Sequence, residues 1–205
     1  MESCRSAISR PAGAEATAPV LHWYDIVCPF CYVGQDRSRI LTARGFTVLS
    51  IPLPIHPEIP QEGIEAGPRQ GPMYEFLQNE ARSVGLFLHW PARLPNTILA
   101  LTVAEWARRH GPRAFPALYA ALFEAHFVRG EDIGAPAVVQ HHAAASGVIR
   151  ALAVAMTKPG PAQDVEQSSG LAEQFGIAGT PTWLVGSLVI SGLRPRSEFE
   201  EFRSA

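Results

Sequence analysis

The sequence predicts an α/β fold in which a βαβ unit and an αββα unit are separated by a helical insertion. Three observations lead there. A strand-length apolar run ends on Cys28-Pro29-Phe30-Cys31, and a helical pattern starts at once. Short strands return only after Gly179-Thr180-Pro181-Thr182, near the C-terminus. Between these two points the apolar residues recur at helical spacing.

In order, Leu21 to Val27 reads as the first strand, rich in apolar and aromatic residues. Cys31 to Ala43 turns helical, with Val33, Ile40 and Leu41 on the inner face and Gly45 closing it. Phe46 to Ile51 alternates as a second strand, and the Pro-rich Pro52 to Pro72 reads as a loop. Met73 to Val84 is a helix stopped at Gly85, and Asn96 suits the N-cap of a helix running to Arg109. Phe115, Leu118, Tyr119, Leu122, Phe123 and His126 form a stripe that makes Phe115 to Arg129 amphipathic. Pro136 opens another helix closing at Gly147, and Ile149 to Met156 is a further short one. After Pro159-Gly160-Pro161 a helix leads to Phe175. Thr182 to Val185 and Leu188 to Ser191 are strands joined by Gly186-Ser187, a hairpin signal, and Pro195 opens a last helix to about Arg203. The expected division is a tail over 1–19, a core over 20–53 and 160–205, and an all-helical insertion over 54–159.

A hydrophobic share of 47% with 18% charged residues is that of a globular chain. A net charge of −2 supplies no general basic field for nucleic acid or anionic lipid. No apolar stretch has the length of a membrane span, and the tail holds no apolar signal region, so a cytoplasmic location is expected.

Three cysteines, Cys4, Cys28 and Cys31, are too few for a disulfide scaffold. Cys28 and Cys31 close almost no loop, so their spacing points to chemistry. At a strand-to-helix turn Cys28 would sit at the helix N-terminus, where free N–H groups and the helix dipole stabilise a thiolate. Cys31 would lie one turn along, placed to attack a mixed disulfide on Cys28, and Pro29 needs no N–H donor there. Cys28 is therefore expected to titrate below a free thiol and Cys31 not. The alternatives are half of a zinc site or two inert buried thiols. Zinc needs four ligands, and no second such pair follows. His141 and His142 are adjacent on a helix and point to different sides, as a surface and a core-edge residue. No metal or cofactor is expected beyond the redox-active pair.

Pro181 opens a strand about 150 residues later. Against an ordinary trans proline, the cysteine motif upstream favours the cis proline that sits beside the cysteines in thioredoxin folds, whose predecessor, here Thr180, offers backbone groups to a substrate. Asp25 either relays a proton from Cys31 or satisfies nearby amides. Cys4 reads as a bystander.

The chain resembles the DsbA-like thioredoxin-fold superfamily, within it the FrnE-type thiol oxidoreductases. The matching residues are Asp25 to Gly34, Pro54 to Pro60 with Gly63, Pro95-Asn96-Thr97, Leu122 to Phe127 with Asp132-Ile133-Gly134, and Gly176 to Trp183 with Ser191-Gly192. The resemblance implies a thioredoxin-like core capped by the insertion, with Pro29, Phe30, Thr180 and Pro181 contacting substrate and Asn96 and Thr97 facing the cysteines. It departs at Phe30 and Thr180, where Trp and Val are commoner. The implied activity is dithiol–disulfide exchange with a thiol- or disulfide-bearing protein or small molecule, glutathione being one potential co-substrate. A neighbouring branch, similar to 2-hydroxychromene-2-carboxylate isomerases and kappa-class glutathione transferases, uses glutathione but typically replaces the first cysteine by serine. A peptide-binding or holdase module without turnover is the non-enzymatic alternative.

Overall fold

The structure, a computed structural model, describes residues 18–148 and 160–203. Cys4, nearly all of the tail and the short helix expected over 149–156 lie outside the described residues. Four strands form one mixed sheet in the order β2-β1-β5-β6. They are β1 (Val20–Tyr24), β2 (Val48–Pro52), β5 (Thr182–Val185) and β6 (Leu188–Ser191). Helix α1 (Pro29–Ala43) carries the chain from β1 to the parallel β2, while β5 runs antiparallel on the other side of β1. This is the βαβ-plus-αββα core, with both strands of the second hairpin where the sequence predicts them.

Period-two alternation sends the two faces of β1 to different helices. Val20 joins Leu41, Trp183 and Phe199 beneath α1 and α7 (Arg196–Glu200). Trp23 joins Ile51, Ala172, Ile177 and Leu184 beneath α6 (Gly160–Gln174). Trp23 and Trp183 are fully buried, and each such side chain contributes roughly 2–3 kcal/mol of transfer free energy. α1 can pass close over Trp183 because Gly34 has no side chain: a Cβ there would lie 3.1 Å from the indole.

The insertion contributes α2 (Pro72–Ser83), α3 (Ile98–His110), α4 (Phe115–Phe127) and α5 (Pro136–Ala145). Its apolar faces merge with Tyr24, Ile26, Cys28 and Cys31 into one continuous core cluster. The insertion is therefore a cap welded to the core.

Four expectations need correction. The first strand stops at Tyr24, because residues 25–28 turn into the helix, with the Cys28 N–H bonded to the Asp25 carbonyl at 3.2 Å. The cap is not wholly helical. The stretch read as a loop contains β3 (Ile64–Glu65), paired antiparallel with β4 (Arg93–Leu94). Gly63 makes that pairing feasible: its φ is 72°, and a Cβ would lie 2.8 Å from the Leu94 carbonyl oxygen. Thr97, not Asn96, is the N-cap of α3, and Asn96 stabilises the turn before it by accepting the Ile98 N–H at 3.0 Å. Helices α4 and α5 end two residues before their expected limits, at Phe127 and Ala145.

Candidate active site

Cys28 is the N-cap of α1, with extended backbone angles and Pro29 in the first turn behind it. Nothing from a side chain caps this helix start, so the sulfur faces the positive end of the helix dipole. Cys28 is 3% exposed and Cys31 is fully buried; both are free thiols. The Cys28 thiol lies 3.5 Å from the Thr180 carbonyl oxygen, 152 positions away in the chain. The Thr180–Pro181 peptide bond is cis, and Pro181 is buried against α1.

The two sulfurs are electrostatically unequal. The Cys28 thiol is pushed below its ordinary value, chiefly by the hydrogen bond that Cys31 gives it, with burial opposing and Thr180 adding to the fall. Cys31 is pushed well up, first by burial and then by its hydrogen bond to Cys28. The Thr180 hydroxyl is buried beside both sulfurs, favours the thiolate form of each, and has no partner besides them.

Asp25 is buried beneath the pair. Its carboxylate accepts the Ile55 N–H at 2.9 Å and the Val27 N–H at 3.3 Å. Burial raises its pKa, and these donors with the nearby Thr97 side chain hold back the rise. Asp25 thus makes the backbone bonds of a structural residue while staying close enough to act on the cysteines electrostatically. Asn96 faces elsewhere, giving its amide to the Ile59 carbonyl at 2.6 Å. Pro29 and Phe30 are half-buried at the rim.

A cavity of about 280 Å³ opens over Cys28, bounded by Phe30 and Thr180 on the core side. Its far wall comes from the cap: Arg69, Tyr74, Trp90 and His126. Sequence reading did not single these out as site residues. His126 offered the one signal, a titratable residue on an otherwise apolar stripe. A larger hollow of about 400 Å³ lies at the β6 edge, near Phe202 and away from any cysteine. Among the described residues no cluster of His, Cys, Asp or Glu could hold a metal ion, and no helix is long and apolar enough to cross a membrane.

Residues 19–202 match the DSBA-like thioredoxin domain family. The chain belongs to that family. The similar solved structures include a probable DsbA oxidoreductase from Streptomyces coelicolor, at a TM-score of 0.78 and 20% identity, covering 89% of this chain and 87% of that one. They also include the cytosolic disulfide reductase DsbM from Pseudomonas aeruginosa, determined with GSH, at 0.58 and 17%, covering 90% and 93%. An uncharacterised protein of Bacillus subtilis, YwbO, is 24% identical over 192 residues, which are 90% of this chain and 95% of that protein.

Proposed function

We propose that this DsbA-like protein is a dithiol–disulfide oxidoreductase in which Cys28 is the nucleophile and Cys31 the resolving thiol. The observation that carries the reading is geometric: Cys28 caps α1 with its thiol 3.5 Å from the Thr180 carbonyl, and Cys31 lies fully buried one turn behind it, where it favours the Cys28 thiolate and stays protonated itself. Written as a reduction, the Cys28 thiolate attacks one sulfur of a substrate disulfide. A bond forms between them, and the other sulfur leaves with the electron pair. Cys31 loses its proton, attacks the Cys28 sulfur and expels the second substrate thiolate. The substrate gains two electrons and two protons, and the protein holds the Cys28–Cys31 disulfide. The reverse sequence oxidises a dithiol.

The fit of Thr180 beside Cys28 supports a role for its backbone carbonyl in aligning the partner sulfur. Membership of the FrnE-type branch, a cytoplasmic location and glutathione as co-substrate belong to the same reading. They are supported by the motifs quoted above and by the likeness to a cytosolic reductase determined with GSH.

The test is trapping. Cys31→Ser should accumulate mixed disulfides on Cys28, visible on a non-reducing gel of alkylated lysate, while Cys28→Ser should accumulate almost none. The parent should also catalyse reduction of insulin by dithiothreitol. If Cys31→Ser traps nothing and turns over glutathione-linked substrates at the parental rate, the protein is a monothiol glutathione enzyme. Suppression of aggregation at stoichiometric ratios without any turnover would instead mark a holdase.

A further inference from the structure

We infer that the cap wall of the cavity is a carboxylate subsite, and that the disulfide or thiol exchanged at Cys28 is a small organic acid with a flat apolar body. The inference rests on the exchange reading above and names its substrate class.

Size comes first. Cys28 is nearly enclosed, at the bottom of a cavity of about 280 Å³. That lies just under the range of roughly 300–1,000 Å³ common for small-ligand sites. A disulfide on a folded protein brings its flanking backbone with it, and a cavity of this volume takes a small molecule more readily.

Charge comes second. The Arg69 guanidinium lies over the rings of Tyr74 and Trp90, 5.9 and 5.8 Å from their centroids. Its Nε is buried with no hydrogen-bond partner. Arg37 and Arg108, which are also withdrawn from solvent, both meet carboxylates. Among the described residues Arg69 meets none. An arginine resting on aromatic faces keeps its edge donors free for a planar carboxylate, and here the platform is already fixed. Tyr74 and Trp90 pack edge to face at 4.9 Å, and the Trp90 indole N–H is tied to Gln78 Oε1 at 3.1 Å. Binding therefore immobilises little that was free, which favours affinity.

His126 is the second, independent sign of a missing ligand. It is 1% exposed, lines the same cavity, and neither ring nitrogen makes a hydrogen bond of good geometry, the Glu131 backbone lying near but poorly placed. A buried polar group left so carries a desolvation penalty until something meets it. Burial holds the imidazole neutral; the nearby Glu131 backbone opposes this, and the charge of Arg69 adds to it. A neutral imidazole offers one N–H donor, suited to a carboxylate oxygen that the guanidinium leaves open. Phe30 and Phe127 supply the apolar flanks for the body of the ligand.

The test compares two aromatic disulfides in single-turnover stopped flow with the full reduced protein. One is dithiobis(nitrobenzoate), which carries carboxylates; the other is bis(nitrophenyl) disulfide, which does not. Each rate is divided by that of 2-mercaptoethanol with the same disulfide. The normalised preference for the acid should be about tenfold or more, as befits a charge-assisted contact, and Arg69→Gln should bring it within about twofold. Insulin should oxidise the pair more slowly than the acid does. No preference in the parent, an undiminished preference in Arg69→Gln, or insulin reacting as fast would each overturn the assignment. Calorimetry with sulfur-free nitrobenzoate reads the subsite without any exchange. It should show binding to the parent and a loss in Arg69→Gln, and absence of parental binding overturns the subsite. If nitrobenzoate binds but no disulfide outpaces the free thiol, the exchange reading fails instead.

Discussion

The two walls of the dithiol cavity are built on different terms. On the core side the Asp25 carboxylate has backbone donors, and the Cys28 thiol has the Thr180 carbonyl. On the cap side a guanidinium nitrogen and an entire imidazole go without partners. Polar groups that satisfy one another hold a fixed geometry, which a sulfur-to-sulfur displacement needs. Polar groups left open carry a desolvation penalty that a ligand can relieve. The core wall is organised for the reaction and the cap wall for what is brought to it. The Thr180 hydroxyl, whose polar neighbours are the two sulfurs, sits where the two walls meet.

If the walls belong to one cooperative unit, the tie between them should matter most to stability. Glu105 on α3 of the cap is fully buried and holds Arg108 and Arg109, and it accepts the Ser168 hydroxyl from α6 of the core at 3.2 Å. Arg109 also reaches Asp164 on α6, at 3.0 Å. Glu105→Leu strips both arginines of that carboxylate. Breaking a buried pair costs roughly 3–5 kcal/mol, and because the arginines are 23% and 32% exposed the loss should be nearer about 3. Urea denaturation should show a lower midpoint and still one transition, since the apolar cluster is continuous across the junction. Two separate transitions would break the picture of a welded cap.

The core wall alone is tested by Gly34→Val. Trp183 cannot yield to the added methyl groups: it stacks on His22 at 4.7 Å, meets Phe199 edge to face at 4.9 Å, and donates its indole N–H to Ser38 Oγ at 2.9 Å. Overpacking of this kind costs about 1–3 kcal/mol, and a loss of about 2 in the unfolding free energy is expected. Pro181 is also within 3.5 Å of the new Cβ, so the rate of Cys28 alkylation should change as well. An unaltered rate would mean that the seat of Cys28 does not depend on this contact.

One histidine on each side gives a finer comparison. Burial pushes His22, in the sheet, down to about 3, and His126, in the cap, down to about 4, from an ordinary 6.5. The unfolded chain takes up these protons first as pH falls. Their contribution to stability is therefore complete above pH 6.5 and is lost from there down towards pH 4. The slope should approach about 1.4 kcal/mol per pH unit for each histidine. Asp25, pushed up by burial, runs the other way: its contribution is present at low pH and lost as pH rises through its folded value. Unfolding curves between pH 7 and pH 5 should show the net loss, and His126→Leu should roughly halve it. Saturating nitrobenzoate should flatten the part due to His126 and leave that of His22.

How much of this was legible depends on how far apart the cooperating residues lie and what pattern they carry. Cys28 and Cys31 are one helical turn apart, so their meeting follows from spacing alone, and Thr180-Pro181 was found by its place before a strand. The cap wall had no comparable signal. Arg69 and Trp90 come from a Pro-rich stretch and an interhelical loop, which are brought together by strands of two residues each, too short to show alternation. His126 stood in plain view on the stripe of α4, but an imidazole without partners reads the same in sequence as a satisfied one. Asn96 looked like a cap and performs a cap-like bond, yet the helix begins one residue later than it implied.

The smallest effect expected is that of Asp25→Asn, and it separates the two roles open to this residue. Its negative charge disfavours the Cys28 thiolate, so removing the charge should move the absorbance transition at 240 nm to lower pH. The substitution is not silent for stability. Two backbone N–H groups aim at the carboxylate from Val27 and Ile55, and an amide can accept only one of them and sets its own NH2 against the other. Forfeiting one such bond costs about 1 kcal/mol. A purely structural Asp25 predicts those two changes and nothing more. A proton relay predicts a third: Cys31, held protonated by its surroundings, should lose its proton more slowly, so the mixed disulfide on Cys28 should persist longer in single-turnover experiments. A lower Cys28 transition with an unchanged lifetime of that intermediate would leave Asp25 as a structural and electrostatic residue. A lengthened lifetime that recovers as pH is raised would make it the route by which the Cys31 proton leaves.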